Sequence, residues 1–196
     1  MRRWQRICVF CGSSHGRTHR YADEARRTAH ALRHAGLELV YGGGSIGLMG
    51  VLADEMLALG GKVTGVIPYG LASKEIVHQG LTHLELTPSM HARKAAMAEL
   101  SDGFLALPGG FGTFEELFEA ITWSQLGIHA KPIGLLDVDG FFEPLLKLVD
   151  HAIDEQFIPA AQRGLLVVGT DPAELLAQMH DWSPPSVRRW LSAPDL

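Results

Sequence analysis

The stretch LVYGGGSIGLMG, residues 39–50, runs from an apolar segment through a cluster of glycines into a helical pattern. The apolar residues up to Tyr41 predict a buried strand, the glycines predict a turn, and the residues after Gly47 predict a helix. Glycine lets the backbone come close to a ligand, and the free N–H groups of a helix start attract anions. The stretch therefore predicts a strand–turn–helix unit whose turn can bind a phosphate.

The same order of elements repeats on both sides of this unit. Short apolar runs alternate with segments of helical periodicity along most of the chain, which favours a parallel sheet because parallel neighbours need crossover connections. We therefore predict an α/β, Rossmann-like parallel sheet with helices on both faces. The predicted strands are Ile7–Phe10, Leu37–Tyr41, Lys62–Ile67, Phe104–Leu107, Pro132–Leu136 and Leu165–Val168, and the predicted helices are Tyr21–His34, Leu48–Leu59, Met90–Leu100, Phe114–Gln125, Phe142–Glu155 and Pro172–His180.

Length and composition limit the classes of function. A chain of 196 residues with 46% hydrophobic content predicts one domain, residues 1–182, followed by a peripheral tail, residues 183–196. The net charge of -5 gives no basic surface for nucleic acid. No apolar run approaches the roughly 20 residues that cross a bilayer. We expect a cytoplasmic protein whose partner is a small molecule rather than nucleic acid or a membrane.

Two other patterns have weaker functional readings. Gly42-x-Gly44-x-x-Gly47 matches the dinucleotide fingerprint, but the next predicted strand ends without an acidic residue and none follows it before Glu75, so a nicotinamide cofactor is the minor interpretation. Cys8 and Cys11 are spaced like a redox or metal pair, yet residues three apart on a strand point to opposite faces. We expect two packing residues, and neither a metal ion nor a cofactor.

Two further glycine loops are expected at the same edge of the sheet, because each follows a predicted strand. They are Cys11–Ser14, which includes Ser13, and Pro108–Thr113, and together with Gly43 and Gly44 they form a predicted phosphate cradle. Another helix opens with Ser89–Lys94, where cations oppose the helix dipole and indicate an external anion, although a solvated basic turn is the alternative.

The segment Thr113–Glu116 allows two interpretations. Taken alone it favours a capping box, with Thr113 as the N-cap and Glu116 reaching back to it. The apolar residues that follow, Phe114, Leu117, Phe118 and Ile121, predict the face that packs on the sheet. Glu116 lies off that face, so the functional interpretation points its carboxylate toward whatever the glycine loop holds.

Taken together, three motifs resemble the Lonely Guy (LOG) family of cytokinin riboside 5'-monophosphate phosphoribohydrolases, which are often labelled lysine decarboxylases. They are YGGGxxGLMG at 41–50, MHxRK at 90–94 and PGGxGTxxE at 108–116, and the resemblance runs from about residue 7 to residue 164. It implies cleavage of the bond between an adenine-type base and ribose 5-phosphate, without a cofactor, by a homodimer with Trp123 and Leu126 as interface candidates.

The resemblance also implies a role for each matching residue. Arg93 and Glu116 match the catalytic pair, and Lys94 accompanies Arg93 at the substrate. Glu75 and Thr122 match positions implicated in substrate contact. The phosphate-binding loop of the family matches Gly110, Phe111, Gly112 and Thr113, and the preceding Gly109 is a further candidate for substrate binding.

The chemistry suggests how the catalytic pair would work. Breaking an N-glycosidic bond builds positive charge on the ribose, so a fixed carboxylate and a positioned water are required, and Glu116 is the candidate for both. Arg93 keeps its proton and would orient the sugar phosphate and Glu116. Two rival functions stay open: a nucleotide or molybdenum-cofactor carrier without catalysis, and a pyridoxal-phosphate decarboxylase, for which no lysine has a convincing setting. The preference for a prenylated or a plain adenine also stays open.

Overall fold

The computed structural model describes residues 4–72 and 77–185. Its strands form one seven-stranded sheet in the order β4-β3-β2-β1-β5-β6-β7, and every pair of neighbouring strands is parallel. The strands are β1 (Arg6–Phe10), β2 (Glu38–Tyr41), β3 (Val63–Pro68), β4 (His83–Thr87), β5 (Gly103–Ala106), β6 (Ile133–Leu136) and β7 (Leu166–Gly169). The helices are α1 (His19–His34), α2 (Gly47–Ala58), α3 (Tyr69–Ala72), α4 (Met90–Leu100), α5 (Phe111–Leu126), α6 (Glu143–Asp154) and α7 (Pro172–Asp181), with a 3-10 turn at Ala160–Leu165.

Apolar side chains cover both faces of the sheet. Helices α1, α2 and α7 pack on one face, where Ile7 and Val9 of β1 point. Buried residues of α4 and α5 pack on the other face, where Cys8 and Phe10 point. Alternate residues of a strand face opposite ways, so a strand buried on both sides reads as a continuous apolar run. The predicted fold class, a Rossmann-like parallel sheet with helices on both faces, is confirmed.

All the predicted strands and helices are present, with end points that shift by up to three residues. The sequence pattern predicts neither the strand β4 nor the short helix α3. Strand β4 lies at the edge of the sheet and its residues are largely exposed. An edge strand lacks the buried apolar run that identifies the other strands, which explains why the sequence pattern missed it.

The order of strands creates a switch point between β1 and β5. The chain passes from β1 outward through β2, β3 and β4, then returns to the other side of β1 for β5. Crossover helices on either side of such a point leave a crevice at the carboxyl ends of the strands, where ligands bind in folds of this type. The glycine loops that follow β1, β2 and β5 meet at this edge.

The structure bears on several other expectations from the sequence, and two of them concern residues that it does not describe. Glu75 lies outside the described residues, and so does the predicted tail beyond residue 185. Cys8 and Cys11 are both buried, on opposite sides of the sheet, as the strand periodicity predicts. Within residues 4–72 and 77–185, no helix is long and apolar enough to cross a membrane, and no group of three or more His, Cys, Asp or Glu side chains is placed to hold a metal ion.

Candidate active site

Arg93 is aimed at the carboxyl ends of two strands. Helix α4 begins after Ser89, whose hydroxyl caps it by accepting a hydrogen bond from the Ala92 N–H. One turn along, the Arg93 Nε donates to the Val66 carbonyl of β3 at 3.0 Å, and Nη2 donates to the Gly42 carbonyl at 3.5 Å. These bonds fix the guanidinium at the inner end of the helix, so the predicted basic helix start is directed into the site rather than into solvent.

Glu116 meets Arg93 from the neighbouring helix. The Arg93 Nη2 atom lies 3.5 Å from the Glu116 Oε1 atom, and each side chain is only 12% exposed. Burial raises the pKa of Glu116 to about 6, against the opposing effect of the Arg93 guanidinium. The result is a carboxylate that is ionised at neutral pH but held near its titration point, which is the range useful for general base work.

The capping-box interpretation is wrong. Helix α5 begins at Phe111, earlier than predicted, and its N-cap is Gly110, with no side-chain capping bond. Thr113 therefore lies inside the first turn and is buried, while Glu116 falls in the second turn. The hydroxyl of Thr113 is close to Gly109, where a Cβ atom would come within 2.1 Å of Oγ1. Glu116 is thus free to face Arg93 instead of its own backbone.

The predicted packing face of α5 is also partly wrong. Leu117 is fully buried as expected, but Phe118 is 42% exposed. The face of α5 that contacts the sheet is rotated about the helix axis from the predicted apolar stripe. The buried residues of α5 are Thr113, Leu117, Ala120 and Ser124.

Lys94 contacts α5 rather than the glycine loops. Its Nζ atom lies 2.9 Å from Glu119 and forms a second, shorter ion pair with Glu115. Burial alone would lower the pKa of the Lys94 ammonium, but hydrogen bonds to these two carboxylates outweigh it and raise that pKa. The lysine is therefore a protonated bridge between the two helices, and its expected contact with substrate stays a prediction.

The loops after β1 and β5 form one side of the crevice. The Gly12 N–H donates to the Pro108 carbonyl at 3.1 Å, and the Gly12 carbonyl accepts from the Leu48 N–H at 2.9 Å. Ser13, Gly109 and Gly110 line a cavity of about 290 Å³ at this point. A cavity that is walled by backbone at a helix start has the features of a phosphate site.

The carbonyl groups of the turn after β2 are bound by neighbouring parts of the protein. The carbonyl of Gly43 accepts from the His78 N–H at 3.0 Å, and the carbonyl of Gly44 accepts from the buried Tyr41 hydroxyl at 3.1 Å. With the Gly42 carbonyl bound to Arg93, the carbonyls of this turn hold the chain and the guanidinium, and the expected contact of Gly43 and Gly44 with substrate stays a prediction. Gly43 also has φ of +76°, which favours glycine.

Two residues of the predicted site lie apart from the pair. Thr122 is exposed and its hydroxyl donates to the Phe118 carbonyl of its own helix at 2.7 Å. It lies six positions after Glu116, which is about 9 Å along an α-helix and on a different side of it. Phe111 is 92% exposed at the first position of α5, beside Gly112, which has open space around it.

Sequence reasoning missed the side chains and backbone atoms that hold Arg93 and the neighbouring Lys94. Glu115 and Glu119 bind Lys94, and the carbonyls of Gly42 and Val66 bind Arg93. The acidic spacing at 115, 116 and 119 is visible in the sequence, but backbone acceptors carry no sequence signal. Glu116, Lys94 and Glu119 also line a small cavity whose other walls are apolar. The apolar residues are Phe10, Met97, Ala98, Phe104, Ala120 and Trp123.

Comparisons with known proteins identify the family of this chain. A family model described as possible lysine decarboxylase matches residues 49–179. A cytokinin riboside 5'-monophosphate phosphoribohydrolase, LOG2 of Arabidopsis thaliana, is 48% identical over 93% of this chain and 85% of its own length. A probable enzyme of the same name, LOGL1 of Oryza sativa subsp. japonica, is 50% identical over 92% of this chain and 81% of its own length.

Among solved structures, the molybdenum cofactor carrier protein of Chlamydomonas reinhardtii superposes with a TM-score of 0.70 at 22% identity, covering 92% of this chain and 98% of its own. The molybdenum cofactor binding protein of Rippkaea orientalis superposes with a TM-score of 0.69 at 19% identity over the same shares of the two chains. At such identities the likeness concerns the fold alone.

Proposed function

The chain belongs to the family described as possible lysine decarboxylases, within its LOG group of phosphoribohydrolases, and from this membership we propose that it hydrolyses the N-glycosidic bond of an adenine-type nucleoside 5'-monophosphate. The products are the free base and ribose 5-phosphate. The observation that carries the proposal is the buried pair of Arg93 and Glu116, 3.5 Å apart beside the glycine crevice.

The reaction consumes one water molecule. The bond between the ribose C1' and the base nitrogen breaks, the water hydroxyl adds to C1', and a proton goes to the base. In this proposal Glu116 stabilises the positive charge that develops on the ribose and accepts the proton of the attacking water. Arg93 holds the sugar phosphate and keeps the carboxylate oriented, because a guanidinium does not give up its proton.

The phosphate is assigned to the crevice between the loops after β1 and β5. Gly109, Gly110 and Ser13 line the cavity there, and Thr113 lies against Gly109. Phe111 and Gly112 complete the first turn of α5, whose free N–H groups favour an anion. The predicted contacts by Glu75, Thr122, Gly43 and Gly44 remain part of the family expectation for substrate binding.

Apolar side chains at the mouth favour a base that carries an apolar substituent. One exposed apolar residue follows each of the strands β2, β3, β4 and β5 at the carboxyl edge of the sheet. Met97, by contrast, is buried in the core and cannot form part of the mouth. Apolar groups at a site mouth lose contact with water when an apolar ligand covers them. We therefore propose that prenylated adenine nucleotides react faster than AMP. The mouth residues are Ile46, Tyr69, Met90 and Phe111.

The settings of the lysines favour hydrolysis over a pyridoxal-phosphate reaction. A Schiff base needs a lysine that gives up its proton, whereas ion pairs with Glu115 and Glu119 raise the pKa of Lys94. Lys62 and Lys147 form exposed ion pairs at the surface. The label decarboxylase therefore finds no support in these side chains.

The test is direct detection of products by chromatography after incubation with AMP and with isopentenyladenosine monophosphate. We expect free base and ribose 5-phosphate in equal amounts. Glu116→Gln and Arg93→Ala should each lower the turnover by about 100-fold or more, by analogy with other preorganised electrostatic groups. The control is Glu99→Gln, an exposed carboxylate on α4. Native turnover in Glu116→Gln would end the proposal.

A further inference from the structure

His78 occupies a connection that the catalytic chemistry does not use, yet its side chain is only 10% exposed. The Nε2 atom lies 2.8 Å from the Asp54 Oδ1 atom of α2, and Nδ1 accepts a hydrogen bond from the Gly80 N–H at 3.0 Å. Since Nδ1 accepts, the ring proton is on Nε2 and is donated to Asp54. Both ring nitrogens are therefore engaged by groups on different segments.

The backbone beside this ring supports the turn that holds Arg93. The His78 N–H donates to the Gly43 carbonyl at 3.0 Å, and Val77 forms an antiparallel bridge with Gly44. The adjacent Gly42 carbonyl accepts from the Arg93 guanidinium. The contacts thus run without a gap from Asp54 through His78 and the glycine turn to Arg93 and on to Glu116.

We propose that His78, held by Asp54, is a positioning residue that keeps the Gly42–Gly44 turn in place and through it the Arg93 guanidinium against Glu116. This inference rests on the proposed hydrolytic function. The turn needs such support because glycines have more backbone freedom than other residues and lose more of it when ordered. The Tyr41 hydroxyl holds the Gly44 carbonyl, and the His78 N–H holds the Gly43 carbonyl of the same turn.

We call the contacts of His78 with Asp54 and with the Gly42–Gly44 turn the clamp. Loosening it should change the pKa of Glu116, which the loss of a merely structural residue would not do. Arg93 lowers the pKa of Glu116, so a displaced guanidinium lets that pKa rise. The other groups that face Glu116 are Lys94 from α4, Glu115 and Glu119 from its own helix, and the buried thiols Cys8 and Cys11. None of these groups touches His78. If the His78 variant loses activity at a higher pH than the native chain does, the change in the pKa of Glu116 therefore reports on Arg93.

The chain provides a matched control on the same helix. His30 Nε2 lies 3.0 Å from the Glu55 Oε1 atom, and Glu55 is the residue next to Asp54 on α2. This second histidine–carboxylate pair joins α1 to α2 and makes no contact with the glycine turn. His30→Ala therefore shows how the loss of a histidine–carboxylate pair on α2 affects activity when Arg93 is not disturbed.

The experiment measures kcat, KM and the pH profile of base release for His78→Ala and His30→Ala, together with amide hydrogen exchange of residues 42–44 and 77–80. For His78→Ala we expect a kcat at least tenfold lower, a smaller change in KM, an acid limb moved to higher pH and faster exchange. For His30→Ala we expect native values. Unchanged kcat and pH profile in His78→Ala, or equal losses in both variants, would overturn the proposal.

Further variants keep the test decisive. Asp54 is 74% exposed, so Asp54→Asn removes the charge without opening a cavity if His78→Ala fails to fold. His78→Gln can keep the donor to Asp54, and we expect it to recover more activity than His78→Ala. If the native chain releases no base, the proposed function fails, while faster exchange at 42–44 in His78→Ala still supports the clamp and unchanged exchange refutes it.

Discussion

Arg93 and Glu116 belong to consecutive crossover helices that follow β4 and β5, yet their side chains meet at 3.5 Å over the carboxyl edge of the sheet. The guanidinium reaches this place because Gly42 has no side chain: a Cβ atom there would lie 2.1 Å from the Arg93 Nη2 atom. The carboxylate reaches it because α5 begins early enough to put Glu116 in the second turn.

The pH dependence of base release tests the state of Glu116. Burial raises the pKa of this carboxyl to about 6, and the ionised form is the active one. We expect kcat/KM to be constant near pH 7.5 and to fall about tenfold per pH unit below pH 6. An acid limb near pH 4.3, the ordinary value for glutamate, would contradict the assignment. The measurement is a pH series with AMP at subsaturating concentration.

Lys94→Met tests whether the lysine acts through the neighbouring carboxylates. Its loss leaves Glu115 and Glu119 without their cation, and both of these carboxylates raise the pKa of Glu116. We expect the acid limb of kcat/KM to move to higher pH. Lys94→Arg keeps the charge and should keep the limb close to its native position. If both variants leave the limb unchanged but raise KM, Lys94 instead contacts the substrate directly.

Gly42→Ala tests the close approach between the glycine turn and the guanidinium. The added methyl group would overlap Arg93 and force it away from Glu116. We expect a loss of turnover of about 100-fold, comparable to removing one preorganised donor. Circular dichroism should show the native fold. Gly164→Ala is the matched control, because its nearest neighbour would be 3.8 Å away, and it should keep native activity.

The sequence predicted the sheet well because its central strands are buried on both faces and read as continuous apolar runs. It did not predict β4, whose residues are exposed at the sheet edge. The motif residues indicated Arg93 and Glu116 as a pair, and their catalytic role stays a prediction. The capping box at Thr113 was wrong, since no local pattern shows that the helix begins directly after Gly110. The support from Val66 and Gly42 could not be predicted, because backbone carbonyls are present at every residue.

The homodimer remains a prediction that light scattering can test. Trp123 and Leu126, the interface candidates, are only partly buried on α5, and Phe118 on the same helix is 42% exposed. Apolar side chains left exposed on a helix gain stability when a second copy covers them. We expect twice the 21.3 kDa chain mass in solution and a monomer for Phe118→Glu. A native chain that elutes as a monomer at all concentrations would contradict this expectation.

Glu116 should reduce the stability of the fold that it serves. Its pKa is raised from 4.5 to about 6, so the folded state binds a proton more tightly than the unfolded state does. The cost is fully present above pH 6, at most about 2 kcal/mol, and it disappears as the pH falls below 4.5. Glutamine keeps the shape and an oxygen for Arg93 without the charge.

We therefore expect Glu116→Gln to raise the free energy of unfolding by about 1–2 kcal/mol at pH 8, which corresponds to a Tm increase of about 2–8 °C in a chain of this size. At pH 3.5 the variant and the native chain should unfold at nearly the same temperature, because the native carboxyl is then protonated in both the folded and the unfolded state. Glu99→Gln, at an exposed position, should change the free energy of unfolding by no more than about 0.5 kcal/mol at either pH. If Glu116→Gln is instead less stable than the native chain at pH 8, the expectation is wrong. The ionised carboxylate would then stabilise the folded state rather than destabilise it.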